Sequence, residues 1–495
     1  MSNVDQITAE NLVQWHLEAR VVRVLEDAVS QAKRRNQSTF VRVIWPSESF
    51  DLLDAVNYGC ELRERTFAWS DADDRRSFVA LGAIEERETA GAVRFAQVGL
   101  WSSELRERVL EVALIEGSLE ANLPLTVGGF AFAARDGAGS RVWRGWPDGL
   151  HWMPRWILEE RGGSVSVGVV IEVEPTATLS ELESSLRKEV TACTERTLAW
   201  RSQRQVRVVR DPAEITRRSN EAGRVDFIGA VNEAKTAIET KEFRKVVMAR
   251  DIEVAAKLGH TFDVGETLAA LTRKFADCQI FCIGREDGSV FLGATPEILI
   301  RRHQEVVETV SLAGTAPRGE SEASDAAFAR ELLASAKDRH EQEIVTETIL
   351  ETLGDWAVEI DVPAEPRLRA LSNVQHLETR IRAQLERERP IQELVAGLHP
   401  TPAVGGMPNR DALRWLSDSE DLDRGWYAGP VGFSDLSGNG VYVVAIRSAL
   451  LRQDRAWAFA GAGIVGASVA ELEWDETDVK LKAVLEQLQT SRSRR

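Results

Sequence analysis

Several residues in the second half of the chain have types and spacings suited to chemistry. Lys245 stands in RKVVMARDIEV (244–254), which reads as a strand with Lys245, Val247 and Ala249 on one face. A lysine among apolar neighbours either snorkels to water or is a desolvated amine able to act as a base. In FLGATPEILIRR (291–302), Glu297 follows Pro296 at the start of a strand. Such a glutamate either faces water or, in an apolar pocket, stays protonated and able to donate. Glu341 lies in the helical stretch SAKDRHEQEIVTETIL (335–350), one turn after Lys337, and the two suit an exposed ion pair as well as a site. ELEWDETDVKLKAVL (471–485) puts Glu473, Glu476 and Lys480 on one helical face. Two carboxylates there and a third from another helix suit a hard divalent cation, although acidic first turns are also common for dipole reasons.

VYVVAIRSALL (441–451) reads as a central strand with Arg447 on the face of Val441, Val443, Ala445 and Ala449. A guanidinium among small apolar side chains needs a buried anion, from either a protein carboxylate or a substrate carboxylate. FAGAGIVG (459–466) matches GxGxxG through Gly461, Gly463 and Gly466. Too few residues follow for a second parallel strand carrying an acidic ribose contact, so dinucleotide binding is rejected. The glycines are expected to let backbone N–H groups approach an anion beside the last helix.

The elements that must position these residues divide near the polar, Arg-rich stretch 200–226, giving parts 1–220 and 221–490. An amphipathic helix is expected over 5–35, capped by Thr8, with Leu12, Trp15, Val21, Val24, Leu25 and Val29 apolar. FVRVIW (40–45), RSFVALGAIEE (76–86), PLTVGGFAFAAR (124–135) and SVSVGVVIEVE (164–174) alternate as strands, so this half reads as antiparallel sheet carrying helices. Beyond the boundary, helices are expected over 226–241, 324–353, 380–397, 408–418 and 468–490. Strands are expected over 244–254, 278–284, 288–313, 439–452 and 456–460.

A formal charge of −17 on 495 residues makes a nucleic-acid or anionic-membrane partner improbable, so an anionic substrate needs a local positive site or a metal ion. Cys60, Cys193, Cys278 and Cys282 are too few and scattered for a disulfide framework; Cys278 and Cys282 read as buried thiols. No apolar run long enough to cross a membrane and no leader pattern is found, and the chain is expected to be cytoplasmic.

The ordered motifs from Lys245 to Lys480 resemble the chorismate-utilising enzymes, which include anthranilate, aminodeoxychorismate, isochorismate and salicylate synthases. The resemblance is strong over 222–490 and looser before it, mainly in GGFAF (128–132) and WPDGLHWMPRWILEER. It implies an α+β fold: a large two-lobed body with antiparallel sheets packed face to face and helices outside, the first 220 residues adding strands to it. Lys245, where amine-adding members carry Gln, and Ala313, where aminodeoxychorismate synthases carry lysine, imply water addition. LHPTPAVGG (398–406), NVQHLETRI (373–381) and RGWYAGPVGFSD (424–435) resemble isochorismate synthases, particularly those of the menaquinone pathway; siderophore-pathway members share the chemistry. Salicylate synthase is the alternative, followed by anthranilate synthase and an inactive binding relative.

By the same resemblance Lys245 is the general base and Glu297 the general acid. Glu341 and Glu476, supported by Glu473, would hold Mg²⁺. Arg447 and Lys480 would contact substrate carboxylates, and Gly314, Thr315, Tyr427, Gly461 and Gly463 would line the pocket, with Val404 and His376 beside them. Chorismate is the expected substrate. No glutamine amidotransferase subunit is expected, and the chain is expected to be a monomer or weak homodimer.

Overall fold

The computed structural model describes residues 19–71, 73–113, 122–135, 140–202, 215–217, 221–371 and 374–492. The expected cap Thr8, with Leu12 and Trp15, lies outside them, as do most of the proposed boundary and Asn373. Among the described residues there are eleven helices and 23 strands, 21 of them joined in one hydrogen-bonded sheet. Every pairing is antiparallel except that of Thr39–Ser47 with Val109–Ala113.

The two parts of the chain share this sheet. Thr66–Asp71 pairs with Gln279–Gly284, and Pro124–Phe130 with Pro430–Asp435. From Thr66–Asp71 the ladder runs through Arg76–Thr89, Gly149–Arg161 and Pro124–Phe130 to Pro430–Asp435. Four such steps span roughly 19 Å in a flat sheet. Yet the rings of Trp69 and Phe433, from the first and last strands, are 5.5 Å apart edge to face. The sheet therefore folds back on itself and closes on an aromatic core.

Strand alternation divides the apolar residues between that core and a second one. Phe67, Trp69, Phe78, Ala80, Phe281 and Ile283 join the aromatic core, while Ala68, Val79, Leu81, Ile280 and Cys282 turn to the other face. There they meet helix residues such as Val21, Leu25, Leu186, Leu268, Leu271 and Leu485. Central strands buried on both faces explain the long apolar runs.

Four expected elements differ. The 380–397 helix is a strand, Val374–Leu385, then a short helix, Ile391–Leu398. Its Arg, Gln, Leu and Glu favour helix, but Ile381, Ala383 and Leu385 are buried alternately with exposed Arg380, Arg382 and Gln384, and packing overrides propensity. The 324–353 helix breaks at Ser335, whose hydroxyl caps the second piece by accepting from the Asp338 N–H. The 288–313 strand becomes Ser289–Thr295, Ile298–His303 and Val306–Pro317, cut at Pro296 and at Gln304, where φ is 56°. The 439–452 strand stops at Val444 and resumes at Ser448, and Arg447 sits in the break with φ of 50°.

Candidate active site

The strand Lys245–Ala256 is held along its length by Arg455–Ile464, and at its start by Gly406–Met407 on the other edge. Lys245, 1% exposed, donates from Nζ to Glu341 Oε1 at 2.7 Å. Glu341 comes from the helix Ala336–Gly354, which is anchored on the strand Val306–Pro317 by Gln342 donating to the Ser311 carbonyl. Burial would raise the Glu341 carboxyl, but Lys245, Lys337 and Lys480 outweigh it and hold it below the usual range. Gly463 leaves the space between them open: a Cβ there would stand 3.2 Å from Lys245 Cε and 3.3 Å from Glu341 Oε1. Lys480, from the last helix Ala470–Leu485, bridges Glu476 Oε1 at 2.7 Å and the Gly461 carbonyl at 2.9 Å. Glu473, one turn earlier, has its carboxyl pushed up, first by burial and further by neighbouring Glu476, against a hydrogen bond from Ser468.

A different arrangement surrounds Glu297. It is 4% exposed and lies in the break between Ser289–Thr295 and Ile298–His303, its carbonyl taken by the Val444 N–H. Its Oε1 accepts from the Thr401 hydroxyl at 3.2 Å. Desolvation raises its carboxyl to about 7 despite that bond and the cations Lys245, Lys480 and Arg447. Arg447 is buried, yet no carboxylate pairs with it among the described residues; its contacts are Cys278 Sγ at 3.9 Å and His376 Nε2 at 3.1 Å. A guanidinium only donates, so His376 Nε2 accepts and the proton sits on Nδ1, 3.1 Å from the Gly314 carbonyl. Burial and Arg447 lower the imidazole to about 3, which keeps it neutral. Gly314 makes this possible: with φ of 69° it fills a register shift between Ala313 and Thr315, turning its carbonyl to the histidine. Thr315 Oγ1 lies 3.2 Å from the same Nδ1.

One cavity is lined by Glu297, Gly314, Thr315, Glu341, His376, Val404, Tyr427, Arg447, Gly461, Gly463, Glu473, Glu476 and Lys480. Lys245 lines a second cavity that meets the first at Glu341 and Lys337. Tyr427 stacks on Phe459, its hydroxyl near Gly461 and its ionisation raised by burial. Gly461 and Gly463 are part of a ladder, paired with Ala249 and Val247, so what they provide is room for Tyr427 and Lys245 rather than the anion-binding turn expected from the motif.

Sequence reasoning passed over Asp338, Ala403, Arg424 and Ala428, which also line this space, and Thr401, which holds Glu297 from behind it. None carries a local signal; Thr401 acquires its meaning from a partner 104 positions away.

Glu341, Glu473 and Glu476 on this cavity are hard oxygen donors, and the first and last are already held by lysine ammonium groups. Among the described residues no three His, Cys, Asp or Glu side chains converge closely enough to cage an ion unaided. Mg²⁺ needs no such cage, since it takes one or two carboxylates and completes its shell with water and ligand oxygens. The donor set fits such an ion.

A folded-back sheet presenting cations, a protonated carboxyl and a carboxylate cluster to one cavity defines an enzyme site for a small polyanion. The sequence model of the chorismate binding enzymes matches residues 27–489, and the chain belongs to that family. It is 33% identical to the salicylate biosynthesis isochorismate synthase of Pseudomonas aeruginosa over 93% of this chain and 95% of that one. It is 30% identical to isochorismate synthase MenF of Bacillus subtilis, over 93% and 96%. Among solved structures, MenF, the menaquinone-specific isochorismate synthase from Escherichia coli, superposes with a TM-score of 0.72 at 22% identity, over 94% of this chain and all of that one. Anthranilate synthase component I from Streptococcus pneumoniae gives 0.62 at 18% identity, over 83% and 92%. These structures share the α+β fold. No helix among the described residues is long and apolar enough to cross a membrane.

Proposed function

We infer that this protein is an isochorismate synthase, an isomerase that converts chorismate to isochorismate by adding water at the ring carbon next to the carboxylate-bearing carbon, with loss of the 4-hydroxyl. The observation that carries this reading is Arg447: a buried guanidinium on the cavity whose protein contacts are a neutral imidazole and a thiol. Its missing counter-charge is supplied by a substrate carboxylate, gripped through the guanidinium fork. Relatives that match nearly the whole chain are named isochorismate synthases, one of them for salicylate biosynthesis.

In this reading the base is the amine form of Lys245, reached when the ammonium held by Glu341 gives up its proton, and it accepts a proton from the attacking water. Glu297, kept protonated by its dry surroundings, donates to the departing hydroxyl while Thr401 orients it. The reverse reaction uses the same pair in swapped protonation states. Glu341 and Glu476, with Glu473, would hold Mg²⁺, which supplies charge to neutralise the second substrate carboxylate and polarise the diene. Lys480 keeps Glu476 and the Gly461 carbonyl in place and adds positive charge for the dianion. Tyr427, Gly314 and Thr315 shape the pocket around the ring.

The test is to supply chorismate and Mg²⁺ and separate the products by chromatography. Isochorismate alone is expected. Salicylate with pyruvate indicates salicylate synthase, a product formed only with ammonia indicates the anthranilate class, and no conversion indicates a binding protein.

A further inference from the structure

On its second edge, the Lys245 strand has a backbone partner at its start, through Gly406–Met407, and at its far end, through Ile215–Arg217, with a gap between them. The Arg244 N–H donates to the Met407 carbonyl and the Val247 N–H to the Gly405 carbonyl at 2.9 Å. In the gap, at Val247 and Ala249, the edge is completed by side chains. Ala249 N–H donates to Glu420 Oε1 at 2.7 Å, and the Val247 carbonyl accepts from Arg424 at 2.5 Å. Glu420 and Arg424 form a fork of two bonds, 2.6 and 2.8 Å, and both side chains are under 9% exposed. The remaining arm of Arg424 donates to the Val404 carbonyl at 2.9 Å. Val404 belongs to a tight turn in which its own N–H and that of Gly405 both donate to the Thr401 carbonyl. Thr401 is the residue whose hydroxyl holds Glu297.

We propose that the buried Glu420–Arg424 pair is a positioning element that continues the edge of the Lys245 strand in place of a backbone partner and ties it to the turn whose Thr401 holds Glu297. The pair thereby sets the spacing between the base and the acid. This rests on the isochorismate synthase reading above. An arginine is required because one planar group must serve a carboxylate and two carbonyls in three directions, which a lysine ammonium on a flexible stem does not reproduce.

The experiment is steady-state kinetics of Arg424→Lys and Glu420→Gln with chorismate and Mg²⁺, alongside the unaltered protein. Glu420→Gln is the milder change, since its amide oxygen still accepts from the Ala249 N–H; it decides the question if Arg424→Lys does not fold. The expected result is a fall in kcat of roughly 10- to 100-fold, the cost of displacing reacting groups by an ångström or less, with KM changed less than about threefold. In a Thr401→Val background the same substitution is expected to cost clearly less, because both changes loosen one connection. Unchanged kcat, a loss confined to KM, or penalties that multiply independently with Thr401→Val would overturn the proposal. Failure of the unaltered protein to form isochorismate counts against the function and not against the clamp.

Discussion

Two groups of charged side chains meet at the cavity that Glu297 and Glu341 line, and they are balanced differently. In the first, Glu341 and Glu476 each meet an ammonium, Lys245 from the adjoining cavity on one and Lys480 on the other, while Glu473 takes a hydrogen bond from Ser468. Around Arg447 a cation has neutral neighbours and the nearby acid is protonated near neutral pH. In the first group Glu341 and Glu476 are paired without a ligand. The second is incomplete until an anion arrives, because a buried guanidinium without counter-charge is costly. Under the proposed function this contrast is how a protein of net charge −17 admits a dianion: Glu341 and Glu476 are paired with lysines, and Arg447 is left without a carboxylate among the described residues.

The sharpest way to break this comparison is at the catalytic pair. Lys245→Ala is expected to lose about 10²- to 10⁴-fold in isochorismate formation while chorismate still binds. Near-normal turnover in that variant, followed by chromatography, removes the amine from the mechanism. Glu297→Gln is expected to be slowed to a similar degree. Next, stripping divalent cations with a chelator should abolish conversion, and added Mg²⁺ should restore it; conversion that persists in chelator would leave the carboxylates without their proposed ion.

Arg447→Lys tests the other group. Loss of the fork should lower kcat/KM by about 10- to 150-fold, equivalent to about 1.5 to 3 kcal/mol for hydrogen bonds to a charged group. Most of it should appear in KM, and a change confined to kcat would argue against a ground-state carboxylate grip. A smaller effect is expected from pH. Glu297 must be protonated to donate, and its carboxyl is raised to about 7, so the acid is competent below that value and lost above it. The Glu297-dependent rate should fall about tenfold by pH 8, and a profile flat between pH 6 and 8.5 would deny it the acid role. The smallest change is Gly463→Ala: its methyl would crowd Lys245 and Glu341 and should cost a few-fold in kcat, because flexible side chains can yield a few tenths of an ångström.

The site was legible in the sequence where a residue's chemistry is unusual for its surroundings. A lysine in KVVMA, an arginine in VYVVAIRSALL and carboxylates spaced along one helical face stand out against apolar periodicity. Their partners were not legible. Thr401 gives no signal until it meets Glu297, and Glu420 and Arg424 give none until they take up Ala249 and Val247, 171 and 177 positions away. Arg447 was read as part of a continuous strand, whereas it occupies a break with φ of 50°, which no alternation pattern reveals. Residues 380–385, the end of the strand Val374–Leu385, read as the start of a helix because they favour helix individually, and only pairing with Val306–Pro317 and burial of every second side chain decide otherwise.

The amino-acid order alone determined which functional groups this protein owns and the local periods that make most of its strands and helices, since both depend on neighbours a few residues apart. Tertiary structure decided which of those groups meet, which carboxyl keeps its proton and which cation, Arg447, has only neutral hydrogen-bond partners. Those outcomes depend on desolvation and on hydrogen bonds between segments a hundred or more residues apart, and they exist only once the sheet has folded back and excluded water.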